Sequence, residues 1–171
     1  MGCLGVTFAI DEKTKDILLS MKRSEIVDYI IDEIEETFFA EKTEYTAEYD
    51  KSWDATHRAF SKGKLRFEKD GDYPLNHLIY GEHVLYGDGE NEGDYIITLN
   101  NPAVVKDIYL ALTQLDESNF RKKYYSIDEK EYGLPMSEED FEYSWGWLRN
   151  SLTFWKIASE QNLYVIFTVD Q

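Results

Sequence analysis

An α+β domain, rich in helices packed on a small mixed sheet, is what this sequence predicts, on three observations. Short apolar runs with β-branched residues stand near both ends, at 3–10 and 163–169, and a third stands at 95–99. Between them, apolar residues recur at three- and four-residue spacing over stretches too long for strands. The chain has 171 residues, is 43% hydrophobic and holds no long polar linker, so one compact domain over 1–171 can bury its own core.

Taken in order, Cys3 to Ile10 reads as a buried strand, and Asp11 caps a short helix running through Leu19. Ser24 is a second cap. Behind it Ile26, Val27, Ile30, Ile31 and Ile34 make one stripe of a helix over about 25–38, with Asp28, Asp32, Glu33, Glu35 and Glu36 as its acidic face. Residues 43–49 approach as a strand. Asp50 then caps a helix on which Trp53, Thr56, His57 and Phe60 share one side, with Lys51, Asp54 and Arg58 directed elsewhere. The segment 61–72 is a basic loop. Pro74 starts a short helix, Leu75 to Tyr80, that Gly81 ends. His83 to Tyr86 reads as a strand, Gly87 to Asp94 as a loop, and Tyr95 to Leu99 as the clearest strand.

Asn101-Pro102 opens a helix with Val104, Ile108, Leu112 and Leu115 as its stripe. A polar helix over Glu117 to Lys123 and an irregular acidic crossing over 126–140 come next. Ser137 caps the longest helix, with Phe141, Trp145, Leu148, Leu152 and Trp155 inward, and a last strand over Leu163 to Val169 is apolar enough to lie inside the sheet.

The formal charge is −16, which disfavours nucleic acid or an anionic membrane as partner and suits a basic protein. Cys3 is the sole cysteine, so the fold contains no disulfide within the chain. Val6 stands where a myristoylation signal needs Ser or Thr, no basic stretch leads into an apolar run, and no run approaches a membrane span. The expected location is the cytoplasm.

Neither a metal nor a cofactor is expected. The alternating acids Asp88, Glu90 and Glu92 suggest calcium, yet Leu99 stands where a calcium loop needs its bidentate Glu. His57, His77 and His83 lack zinc spacing, and no nucleophile elbow, P-loop or dinucleotide fingerprint occurs. If the protein is an enzyme, His57 with Asp54 and Asp50 is the acid–base candidate. The plainer reading makes Asp50 a cap, Trp53 core and His57 a satisfied buried ring.

Several of these motifs together resemble the YfbM-like family of small bacterial proteins, catalogued as a domain of unknown function. They are Met1-Gly2-Cys3-Leu4-Gly5, Asp50-Lys51-Ser52-Trp53 with His57 one turn on, Pro74-Leu75 leading to Gly81, and the aromatic helix before Leu163-Tyr164-Val165-Ile166-Phe167. The resemblance is collinear over essentially the whole chain. It implies a single α+β domain and supplies no catalytic residues. Family members commonly approach the strand before the central helix through Gly-Pro, whereas this chain has Glu92-Gly93-Asp94-Tyr95, so a pocket shared there would be altered. Relatives of this size and acidity often act as immunity proteins beside bacterial toxins.

Two functions are therefore weighed. One is a non-enzymatic immunity or inhibitor-type protein that occludes a basic partner such as a toxin, through Glu33, Glu36, Asp128, Glu129, Glu131, Glu138 and Asp140. Aromatic residues, among them 13 Tyr, would anchor it. The other is a small enzyme or ligand-binding protein with a pocket formed by Trp53, His57, His83, Tyr95 and the 81–94 loop. A monomer and a homodimer are both compatible with the pattern. The absence of any constellation suited to a reaction class favours the first.

Overall fold

The computed structural model describes residues 3–65, 67, 70–89 and 95–170. The Met1-Gly2 start, the loop positions 90–94 and three positions of the basic segment lie outside them.

Five strands form one sheet in the order β2-β1-β5-β4-β3. They are β1 (Gly5–Ile10), β2 (Thr46–Asp50), β3 (His83–Tyr86), β4 (Tyr95–Asn100) and β5 (Tyr164–Asp170). The sheet is antiparallel throughout rather than mixed. The helical excursions after β1 and after β4 each return the chain to the end of the sheet it left, and an adjacent strand entered from that end runs antiparallel. The last strand is central, pairing β1 through Val6↔Thr168 and β4 through Thr98↔Phe167.

Helices cover both faces. Val6, Phe8, Ile10, Ile97, Leu99 and Ile166 face α1 (Glu12–Ser20), α2 (Arg23–Tyr29), a π-helical turn (Ile30–Glu35) and α3 (Glu36–Glu41). Ala9, Ile96, Val165, Phe167 and Val169 face the other layer. That layer holds α4 (Ser52–Phe60), α5 (Pro102–Gln114), α6 (Glu117–Tyr124), α7 (Glu129–Tyr132), α8 (Glu138–Asn150) and α9 (Leu152–Glu160).

The expected caps at Asp11 and Ser137 are present, their side chains accepting from Thr14 N–H at 2.8 Å and Asp140 N–H at 3.1 Å. Other boundaries moved. Lys22, not Ser24, precedes α2, and the single helix expected over 25–38 is three segments. Its buried residues Ile26, Ile30, Ile34 and Phe38 are four apart. In a regular α-helix such a row drifts by about 40° per step. The wider π-turn takes up that drift and keeps the row on the sheet. Ile31 falls outside the buried row and is 45% exposed.

The longest helix divides at Ser151, whose hydroxyl donates to Leu148 O at 2.7 Å. The inward stripe shifts there: Phe141, Leu148 and Trp155 are buried as expected, while Phe154 turns inward and Leu152 outward. Only a 3-10 turn, Leu75–His77, forms where a short helix was expected. Asp50 is not the cap of α4. It ends β2 with φ at +48°, and its carboxylate accepts from Lys51 N–H at 2.7 Å. The β1–β2 register shifts beside it, so the chain leaves the sheet abruptly and α4 starts without a side-chain cap.

Candidate functional site

The helix expected to carry the chemistry, α4, is buried nearly all round. Its neighbours α6 and α8 meet it on one side and the sheet on another. Trp53 is 4% exposed, donates its indole N–H to Cys3 O at 3.0 Å and packs against Tyr80 and Phe167. His57 lies 4.3 Å from the Tyr80 ring centroid, with Nε2 3.2 Å from Ser61 Oγ. Asp54 Oδ1 binds Arg58 Nε at 2.5 Å, and the Asp50 carboxylate accepts from Lys51 N–H at 2.7 Å.

The four expected pocket residues do not converge. Trp53 and His57 lie in the α4 layer. Tyr95 packs against the opposite cluster, and His83 is exposed on β3, with Nε2 3.4 Å from Asn101 Nδ2. Of the alternating acids Asp88, Glu90 and Glu92, only Asp88 lies among the described residues, and its carboxylate binds Arg23 at 2.6 Å.

The expected acidic surface also divides. Glu33 and Glu36 are exposed on the π-turn and α3, on one side of the sheet, whereas Asp128 to Asp140 lie in the other layer. Most of the second group serves the fold. Asp128 caps α7 through Lys130 N–H, Glu129 accepts from Met136 N–H at 3.0 Å, and Glu138 grips Arg121 at 2.5 and 2.8 Å. Glu131 is exposed. Asp140 is half-buried and accepts from the hydroxyls of Tyr124 at 2.7 Å and Tyr132 at 3.0 Å.

Asp140 thereby joins a polar chain that the sequence did not reveal. The Arg58 guanidinium, tied to Asp54, stands 5.7 Å from the Tyr132 ring. Burial pushes the Asp54 carboxyl above its usual range, and the Arg58 hydrogen bond opposes that shift. Burial likewise raises Tyr124 and Tyr132, with the bonds to Asp140 adding to it. This chain stitches α4, α6, α7 and α8 together.

One concavity lies under the π-turn. A cleft of about 340 Å³ opens where β1 begins, β4 begins and β5 ends. Leu4, Val6, Ile31 and Phe39 supply its apolar walls, and Glu35, Tyr95, Thr168 and Asp170 its polar groups. Leu4, Ile31 and Phe39 are 54%, 45% and 44% exposed, a local concentration of open apolar surface. Ile31, Glu35 and Phe39 are four apart, one position along from the buried row, so the π-turn aims a carboxylate between two apolar side chains.

Tyr95 donates its hydroxyl to Glu35 Oε1 at 2.6 Å, and Thr168 Oγ1 lies 3.4 Å from that same oxygen. Burial, then the bond to Glu35, raises the Tyr95 phenol well above its usual pKa, so it remains a donor at neutral pH. Glu35 Oε2 has no protein partner among the described residues. No cation is among the described residues that line the cleft. Sequence reading placed Glu35 on a solvated acidic face; its position between Ile31 and Phe39 at four-residue spacing was the available signal.

No cluster of His, Cys, Asp and Glu suited to a metal occurs among the described residues, and no described helix is long and apolar enough to cross a membrane. No curated protein matches the chain. A solved structure, described as a protein of unknown function YfbM from Escherichia coli, is similar in fold with a TM-score of 0.67. It is 22% identical, and the match covers 97% of this chain and 99% of that one. Residues 1–168 match the family described as a domain of unknown function, DUF1877, and the chain belongs to that family.

Proposed function

We propose that this domain is a non-enzymatic binding protein that occludes a basic protein partner, in the manner of an immunity protein held against a toxin, and that it works in the cytoplasm. The cleft under the π-turn carries this reading. Open apolar surface there surrounds a carboxylate with one oxygen uncommitted among the described residues. Interfaces draw affinity from such apolar centres and on-rate from the charge around them. Asp32, Glu33 and Glu36 are exposed beside Glu35 and form no ion pair among the described residues, whereas Glu138 in the other layer is neutralised by Arg121. The partner-facing acids are therefore Glu33 and Glu36, supported by Glu35.

Affinity capture with the purified protein, followed by mass spectrometry, tests the reading. Wild type should retain a basic protein at low salt, and Glu33→Lys/Glu36→Lys should release it. Retention of no basic protein, or equal retention by the variant, would refute the proposal.

A further inference from the structure

We infer that the cleft under the π-turn is built to take one lysine side chain of the partner, with the aliphatic stem against Ile31 and Phe39 and the ammonium at Glu35. This rests on the proposed binding function and specifies its anchor. Lysine has a long apolar stem ending in a compact charge, and such side chains lay the stem on apolar surface while the head finds polar company. The cleft has the complementary arrangement, with apolar walls from Leu4, Val6, Ile31 and Phe39 and a carboxylate set among them.

Charge selects the occupant. Among the described residues the cleft holds Glu35 and Asp170 and no cation, and the whole chain carries −16. A second copy of the chain would bring the same excess of negative charge, and an acidic or purely apolar segment would leave Glu35 unanswered. Among cationic side chains, the hydrogen bonds favour lysine over arginine. Arginine binds carboxylates best through both oxygens at once, and Glu35 Oε1 is already taken by Tyr95 and Thr168. A single remaining oxygen, Oε2, suits a point donor.

Preorganisation supports the same assignment. The Tyr95 hydroxyl holds the carboxylate at 2.6 Å from below, so little side-chain freedom remains to be lost on binding. Burial keeps that phenol protonated, and it therefore continues to orient Glu35 across the neutral range.

The test is an amide NMR titration of the intact protein with n-pentylammonium, a mimic of the lysine side chain, alongside n-pentylguanidinium and n-pentanol. Shifts should localise to Leu4, Ile31, Glu35, Phe39 and Thr168, with the ammonium strongest. Glu35→Gln, which keeps an acceptor for Tyr95, should weaken it about tenfold, the cost of a charged hydrogen bond. Phe39→Ala, at an exposed site, should weaken all three probes, and Glu138→Gln should leave them unchanged. Equal binding of pentanol, stronger binding of the guanidinium, shifts scattered over the acidic surface, or an unaltered Glu35→Gln titration would each overturn the assignment. Failure here leaves partner capture intact as a test of the binding function, while failed capture with a positive titration removes the partner and keeps the cation site.

Discussion

Gly5 and Trp53 meet in the core: a Cβ on Gly5 would lie 2.8 Å from the Cβ, Cγ and Cδ1 atoms of Trp53. The first residue of β1 thus gives its side-chain space to the indole of α4. Two sequence motifs 48 residues apart, the Gly5 end of the start and the Trp53 turn, form one packing unit, closed by the indole hydrogen bond to Cys3 O.

From this follows the first expectation. Gly5→Ala should destabilise the protein by about 1–3 kcal/mol through overpacking against a backbone-proximal part of the indole. Trp53→Ala should cost about 3–5 kcal/mol, as truncation of a buried aromatic does. Chemical denaturation measures both, and an unchanged midpoint in either variant would contradict this packing.

The Asp54–Arg58 pair gives a second. Arg58 is 6% exposed, so Asp54→Ala strands a buried guanidinium and should cost about 3 kcal/mol or more. Replacing both, as Asp54→Leu with Arg58→Met, removes the charge as well as its partner and should be less harmful than Asp54→Ala alone. A double variant less stable than the single one would show that the polar chain to Tyr132 and Asp140 contributes more than the pair itself.

High pH supplies a third. Burial raises the Tyr49 phenol to about 12, and Tyr95, Tyr124 and Tyr132 are raised as well. A folded-state pKa above the ordinary value of about 10 means the fold holds protons that the unfolded chain releases. Stability from these groups is complete below pH ~10 and declines as pH rises above it. Melting temperatures from pH 9 to 11.5 should fall, and fall less in Tyr49→Phe. An identical slope in that variant would rule out Tyr49 as a source.

Association kinetics with the captured partner provide the fourth. Reversing Glu33 and Glu36 to Lys should slow association by an order of magnitude or more at low salt, with the difference shrinking as salt screens it. Reversing Glu129 and Glu131, in the other layer, should have a smaller effect. Stopped-flow rates at two ionic strengths decide it, and equal rates for wild type and the Glu33/Glu36 variant would mean these acids serve solubility alone.

Local signals in the chain determined most elements of this domain. The caps Asp11 and Ser137, the Asn101-Pro102 start, the acidic excess and the apolar strand runs act over a few residues, and all were readable as such. Tertiary structure decided which faces meet. Both sides of the sheet are covered, so β1, β4 and β5 carry apolar residues on both faces, and periodicity could not tell which way Tyr95 points. Pairing with β5, between β1 and β4, put Tyr95 on the face opposite Trp53 and His57 and dissolved the expected pocket. The same packing drew Asp140 inward to two tyrosines and parted Glu33 and Glu36 from the acids at 128–140. It also widened the helix at Ile30–Glu35, because four-residue spacing stays on a flat sheet only if a turn lengthens, and that turn set Glu35 into its cleft. A side chain's neighbours along a helix are written in the sequence; its neighbours across a layer depend on long-range register, which no short stretch encodes.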